Sequence, residues 1–297
     1  MPDRCPLDGT TLRAGSEQLR DNRFGLPHTI RIGWCPSCGL GVTLDPPTQD
    51  ELDRLYASCY VDDGESARIP ATSLAARVWH RVNGSLPVTD ERLAGPVLDV
   101  GCNTGETLAA LRRPGLEVVG LEPNPTAAAK AREKGFEVIE QPIELAELSV
   151  GRFRSVILSQ VLEHVHEPDA VLRRVRAALQ DGGHAYVVVP NAASIWRSVF
   201  EADWVHWHVP FHLWHHTRSS LRLLLEQNGF ELESARSATP GEWLLMSIEA
   251  RRNARRGVYR LEPFSGRFGR RLAVAPLGRL GDALGRGDAL YGVARAA

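Results

Sequence analysis

Three groups of residues in this chain have the types and spacing to do chemistry. The first is the run Val97-Leu-Asp-Val-Gly-Cys-Asn-Thr-Gly105. An apolar strand carries Asp99 near its end, and Gly101 and Gly105 bracket a tight turn into a helix. Backbone without side chains therefore lies at a strand's carboxyl end, where open α/β sheets bind ligands. Glu122 closes the next apolar run, 21 residues after Gly101, placed to accept both hydroxyls of a ribose. Turn and acid together imply an adenosine-type ligand. The spacing is Gly-x-x-x-Gly rather than Gly-x-Gly-x-x-Gly, so the pyrophosphate cradle of a dinucleotide site is absent. A ligand with no phosphate and a positive sulfonium suits Asp99 and backbone carbonyls instead. The alternative, a strand–turn–helix junction without a ligand, fails to explain the acid at that distance.

The second group begins with Gln160, Glu163 and His164, which follow another apolar run. Five of the ten histidines fall within 204–216: His206, His208, His212, His215 and His216, interleaved with Trp204, Trp207 and Trp214. Clustered imidazoles offer a general base near neutral pH or metal ligands, and the indoles offer a water-excluding wall. The third group is Cys35-Pro-Ser-Cys38-Gly, half of a zinc knuckle, since two thiolates two residues apart can bind one tetrahedral ion. Its partner, Cys5-Pro-Leu-Asp8, has a single cysteine. Asp8 is the first candidate for fourth ligand and His28 the reserve; a knuckle that holds by packing without metal is the alternative.

The elements that must position these groups read in order. Thr48–Tyr56 forms a helix with Thr48 as N-cap and Glu51 completing a capping box, and Ala71–Asn83 a connecting helix. Pro96–Val100 is a strand, Gly105–Arg113 a helix, and Glu117–Leu121 a strand. Asn124 caps a helix with Pro125 in its first turn, closed by Gly135. Phe136–Glu140 and Arg154–Ser159 are strands, Pro168–Leu179 a helix, Asp181–Gly183 a turn and His184–Val189 a strand. Thr217–Asn228 is a helix, Phe230–Ser237 a strand, and Ala289–Ala294 the last strand. This alternation predicts a parallel sheet covered on both faces.

The first run resembles motif I of class I S-adenosylmethionine-dependent methyltransferases. Gly120-Leu-Glu-Pro-Asn124 resembles their second motif, and Arg154–Pro190 their fourth and fifth. The resemblance implies S-adenosylmethionine contacts at Asp99, Gly101, Cys102, Asn103, Gly105, Glu122 and Pro123. It places Pro142 and Ile143 beside the adenine, and Ser159 and Gln160 near the methionine moiety. Arg154 departs from the pattern, which has an acid there. Leu162-Glu-His164 resembles the small-molecule group of this family, implying His212 as base with Glu163 and His164 orienting it. Ubiquinone-pathway and small-RNA O-methyltransferases hold a divalent ion with Glu-x-x-Glu-His and a later histidine. Those positions fall here on Gln160, Glu163, His164 and His212, and a loop without an ion is the alternative. The cysteine segment resembles the zinc ribbon ahead of many bacterial methyltransferases, with Cys5, Asp8, Cys35 and Cys38 as zinc ligands.

The expectation is therefore an α/β, Rossmann-like doubly wound protein with a mainly parallel seven-stranded sheet. A zinc-ribbon-like module occupies 1–63, a connecting helical segment 64–94 and the cofactor-binding domain 95–297, with a helical insertion at 240–288. The implied activity is methyl transfer to a small-molecule acceptor, oxygen first and carbon of a sugar or ketone second. A zinc-module binding protein with a vestigial Rossmann domain is the non-enzymatic rival. Eight arginines against one acid over 251–271 suit an anionic or nucleotide-linked acceptor, or a solvated helix face. Net charge is −1, which gives no support to a nucleic-acid partner. No apolar run reaches membrane-span length. With five cysteines, an odd number, the expected setting is cytoplasmic.

Overall fold

The computed structural model describes residues 3–15, 18–59, 89–261 and 268–297. The helix expected at 71–83 lies outside them. The N-terminal part holds β1 (Arg13–Ala14), β2 (Leu19–Arg20), β3 (Thr29–Ile30), β4 (Ile32–Trp34) and β5 (Gly41–Thr43), then α1 (Gln49–Cys59). The capping box forms as expected: Glu51 accepts from the Thr48 backbone N–H at 2.8 Å, and the Thr48 hydroxyl accepts from the Glu51 N–H at 3.4 Å. The helix continues past Tyr56 to Cys59.

The larger part runs β6 (Val97–Val100), α2 (Glu106–Leu111), β7 (Val118–Leu121), α3 (Pro125–Glu133), β8 (Glu137–Ile139), β9 (Phe153–Ser159), α4 (Pro168–Ala178) and β10 (Leu179–Pro190). There follow α5 (Ile195–Phe200), β11 (Trp214–His215), α6 (Arg218–Gln227), β12 (Phe230–Ala238), α7 (Gly241–Ala254), α8 (Phe268–Ala283) and β13 (Ala289–Ala296). Seven strands form one sheet in the order β8-β7-β6-β9-β10-β13-β12. All pairings from β8 to β10 are parallel, and β13 runs antiparallel to both its neighbours. Val97, Leu98, Val156, Ile157, Leu158, Val187 and Val189 are buried completely or nearly so, as strands covered on both faces require. The covering helices supply one apolar stripe each. On α4, Val171, Leu172, Val175 and Ala178 turn inward at helical spacing.

The chain leaves β6 towards β8 and returns to start β9 on the other side of β6. That reversal opens a crevice at the carboxyl ends of β6 and β9, the place where such sheets bind ligands. One expected turn is absorbed: Asp181–Gly183 lies within β10 as an irregularity between Leu179 and His184, with Gly182 at φ 71°. Ladder pairing to β9 resumes on both sides of it, so the strand is longer than its apolar core.

The expected division between module and domain is crossed by the backbone. β11, residues 214–215, pairs with β5 through Trp214 opposite Val42 and His215 opposite Gly41, completing a four-stranded sheet β1-β4-β5-β11. Among the described residues no helix is long and apolar enough to cross a membrane.

Candidate active site

At the end of β6, Asp99 is buried and its Oδ2 has no hydrogen-bond partner among the described residues. Burial pushes its carboxyl up to about 7, with the charges of Glu122 and Glu106 adding to the effect. The turn that follows is built from left-handed residues: Gly101 at φ 70°, Asn103 at 49° and Gly105 at 85°. Gly101 and Cys102 donate their N–H groups to the Leu121 carbonyl, which ties the turn to the end of β7. Gly120 is needed for this approach, since a Cβ there would stand 2.5 Å from Cys102 Sγ. Glu122 accepts from the Asn103 N–H at 2.9 Å and from the Asn124 N–H at 2.8 Å, so its carboxylate faces the turn. Burial raises it, and those two donors oppose the rise.

The remaining residues expected at the cofactor rim take graded positions. Pro123 is exposed, Pro142 half-buried and Ile143 buried. Ser159 ends β9, and Gln160 stands at φ 59° with its N–H on the Val188 carbonyl at 2.8 Å. Burial pushes the Cys102 thiol up to about 12, which keeps it protonated near neutral pH.

The histidines form a second centre. His206, His208, His212, His215 and His216 are all buried, so none is a surface residue. His212 Nδ1 lies 2.9 Å from the His206 carbonyl, which fixes its proton on that nitrogen, and its Nε2 lies 3.1 Å from His208 Nδ1. His164 Nδ1 is 3.2 Å from the Phe211 carbonyl and 2.7 Å from the Tyr56 hydroxyl. Burial holds His212 and His208 well below the ordinary imidazole value, and His215 at about 3. Glu163 is fully buried with neither carboxylate oxygen partnered among the described residues, and burial raises it to about 8. Its carbonyl accepts the Leu213 N–H at 2.7 Å, which docks the histidine segment onto the end of β9.

The family resemblance implies Gln160, Glu163, His164 and His212 as one ligand set, with a loop without an ion as the alternative. The fold instead gathers His164, His208 and His212, and Glu163 is outside that group. His208 joins His164 and His212 there, where the family resemblance names only His212 among the five late histidines. Tyr56, Arg23 and Thr43 reach this centre from the N-terminal part, a proximity that residue spacing does not encode. Arg23 Nη1 lies 3.5 Å from His208 Nε2, and the Thr43 hydroxyl donates to the His212 carbonyl at 2.9 Å.

The cysteine knuckle is assembled from two turns of the same form. Cys5 N–H donates to Thr10 O and Gly9 N–H to Cys5 O; Cys35 N–H donates to Leu40 O and Gly39 N–H to Cys35 O. Gly9 and Gly39 both take positive φ, 72° and 76°. Asp8 thus occupies in the first turn the place Cys38 holds in the second. Ligand atoms of Cys5, Asp8, Cys35 and Cys38 lie within 4.8 Å of one another, with Cys5 Sγ 3.6 Å from Cys38 Sγ. His28 is not in this group. Burial raises the Cys38 thiol, and the Thr10 backbone N–H holds Asp8 well below the usual carboxylate range.

A seven-stranded sheet of this order, with an acid–glycine turn at its switch point, defines a class I S-adenosylmethionine-dependent methyltransferase. The chain belongs to the methyltransferase domain family, whose model matches residues 74–235. The ubiquinone biosynthesis O-methyltransferase of Pectobacterium carotovorum is 31% identical over 168 residues, covering 49% of this chain and 70% of that protein. Its counterpart in a Methylobacterium species is 36% identical over 118 residues, covering 37% of this chain and 47% of that one. A solved structure of the 4+2 cyclase SpnF aligns with a TM-score of 0.52 at 19% identity, over 84% of this chain and 96% of that one. That last likeness concerns the fold alone, since one fold hosts many chemistries.

Proposed function

We propose that this chain methylates an oxygen of a small-molecule acceptor, with a phenolic or similarly acidic hydroxyl as the group attacked. The observation that carries this reading is the buried Asp99 carboxyl at the Gly101 turn, its Oδ2 without a partner among the described residues, with the charge of Glu122 acting on it. Two acids in low dielectric suit a ligand that brings a positive charge and hydroxyl donors. S-adenosylmethionine, when bound, supplies an electrophilic methyl on a sulfonium. Asp99, Gly101, Cys102, Asn103, Gly105, Glu122 and Pro123 would hold it, with Pro142 and Ile143 at the adenine and Ser159 and Gln160 at the methionine end.

The chain's own work is to position the acceptor and take its proton. His212 is the candidate proton acceptor, with His164 and Glu163 shaping its surroundings. A buried imidazole with a depressed value is a weak base, so it suits a hydroxyl near the phenol value of about 10 rather than an ordinary alcohol. The names of the O-methyltransferase relatives accord with this. The cysteine knuckle is read as a structural zinc site of Cys5, Asp8, Cys35 and Cys38, closed and therefore not catalytic. The five free thiols accord with a cytoplasmic setting.

The experiment is transfer of a labelled methyl group to a panel of phenols, alcohols, and sugar or ketone carbon acids. Phenols should be methylated and His212→Ala should lower turnover roughly 10²–10⁴-fold with S-adenosylhomocysteine binding intact. Transfer only to carbon acids, or full turnover in His212→Ala, would overturn the reading.

A further inference from the structure

We propose that a cavity beside β12, the edge strand of the large sheet, binds the phosphate group of a phosphorylated small molecule. The cavity measures about 410 Å³ and lies where α6, the end of β12 and α8 meet. Arg218 is the first residue of α6, Arg236 and Ser237 come from β12, and Arg279 and Asp282 from α8. Three guanidiniums thus line one opening against a single carboxylate among the described residues. Like charges gathered in this way repel, and an anion placed among them turns that repulsion into attraction.

Arg218 and Arg236 are exposed, and neither makes an ion pair or a side-chain hydrogen bond among the described residues. Arg279 is half-buried and pairs through Nη1 with Asp282 Oδ2, 3.7 Å away. Asp282 does not fill the cavity. Both its carboxylate oxygens are buried, and Oδ1 lies so close to Gly287 that a Cβ there would stand 2.6 Å from it. The acid therefore steadies Arg279 from the protein side. The Ser237 hydroxyl accepts the Gly287 N–H at 3.1 Å, which leaves its own hydrogen for a ligand. Arg218 also marks the positive end of a ten-residue helix capped by Thr217.

The donor set selects the ligand. A guanidinium fork meets phosphate oxygens two at a time, and three forks around one opening suit a dianion better than a single carboxylate. The volume exceeds the need of a lone phosphate and falls in the range of small-molecule sites, roughly 300–1,000 Å³, so the phosphate comes with a body attached. Strand register puts the cavity on the crevice side of the molecule. Arg236, Tyr291, Val188 and Ser159 form one row across β12, β13, β10 and β9. Three strand spacings set Arg236 about 15 Å from Ser159, within the reach of a phosphorylated acceptor laid along the carboxyl edge. That the phosphate is the acceptor's rests on the methyl-transfer reading above; the anion site itself does not. A second phosphorylated molecule, bound without being methylated, has the same chemistry.

The test is calorimetry on the full chain with inorganic phosphate and phenyl phosphate as probes, at an ionic strength held constant with chloride. Phenyl phosphate should bind more tightly than inorganic phosphate, and the double variant Arg218→Gln/Arg236→Gln should weaken both at least about tenfold. Arg222→Gln, one turn further along α6 and outside the cavity lining, should leave both unchanged. S-adenosylhomocysteine binding in each variant reports that the fold is kept, and Arg236→Gln alone replaces a double variant that fails this check. Absence of phosphate binding in the parent chain, unchanged affinity in the double variant, or an equal loss in Arg222→Gln overturns the proposal. Hydroxyphenyl phosphate in the labelled-methyl assay then separates the two sources. A phosphate carried by the acceptor raises the KM of that compound in the double variant, with kcat and the KM of an unphosphorylated phenol unmoved. A KM unmoved for both assigns the site to a second phosphorylated ligand. The calorimetry needs no acceptor, so a failed acceptor screen leaves the anion site standing and a failed phosphate titration leaves the methyl-transfer reading standing.

Discussion

Asp99 makes cofactor affinity depend on pH in a direction that can be worked out. Its carboxyl is raised from 3.8 to about 7 in the folded chain, so rising pH removes a proton from a buried site and costs stability across that window. A ligand carrying positive charge favours the ionised form and must expel the proton wherever one is bound. S-adenosylmethionine affinity should therefore fall as pH drops below about 7 and level off above it. S-adenosylhomocysteine lacks the sulfonium charge and should show a shallower slope. Calorimetry at several pH values checks this, and parallel profiles for the two ligands would remove Asp99 from the role. Glu122 calls for a paired substitution, because its carboxylate also holds the Asn103 and Asn124 N–H groups. Glu122→Ala should weaken binding by about 1.5–3 kcal/mol, roughly ten- to hundredfold. Glu122→Gln keeps one acceptor oxygen and should lose less; equal losses in both would mean that charge, not turn geometry, dominates.

Among elements, the short strand β11 has influence out of proportion to its two residues. It carries Trp214 and His215 into the N-terminal sheet, and Thr43 on the facing strand donates to the His212 carbonyl at 2.9 Å. Thr43→Val keeps the shape and leaves that buried carbonyl without its donor. Unfolding in urea should show a loss of about 1–3 kcal/mol, with S-adenosylhomocysteine affinity unchanged. A loss of cofactor binding instead would mean that the two parts of the site are coupled through β11. This element also marks the limit of what the sequence disclosed. The turn at Gly101 and the caps at Thr48 and Asn124 are local patterns, and all are present in the structure. A two-residue strand has no periodicity to read. His208 joined the metal-capable group only through a left-handed backbone and a partner 44 positions earlier, neither of which leaves a mark in residue spacing.

For the molecule as a whole, the sequence-based division at residue 63 separates compositions, but the backbone does not respect it. Three strands of the smaller sheet come from residues 13–43, and the fourth comes from 214–215. That shared strand has a consequence for the order in which the protein is made. Both knuckle turns are complete once Leu40 has been synthesised, so their cysteines can find a metal early and locally. The exposed flank of β5 must then wait roughly 170 residues for its partner, which at 5–20 residues per second is on the order of ten to thirty seconds. During that interval the nascent chain presents an unpaired edge at 41–43, and the histidine-bearing segment closes it only after the crevice-forming strands β6 to β10 have emerged. The last pairing to form in the small sheet is thus the one that docks the histidines, so vectorial synthesis closes the small sheet and places the histidine segment in a single step.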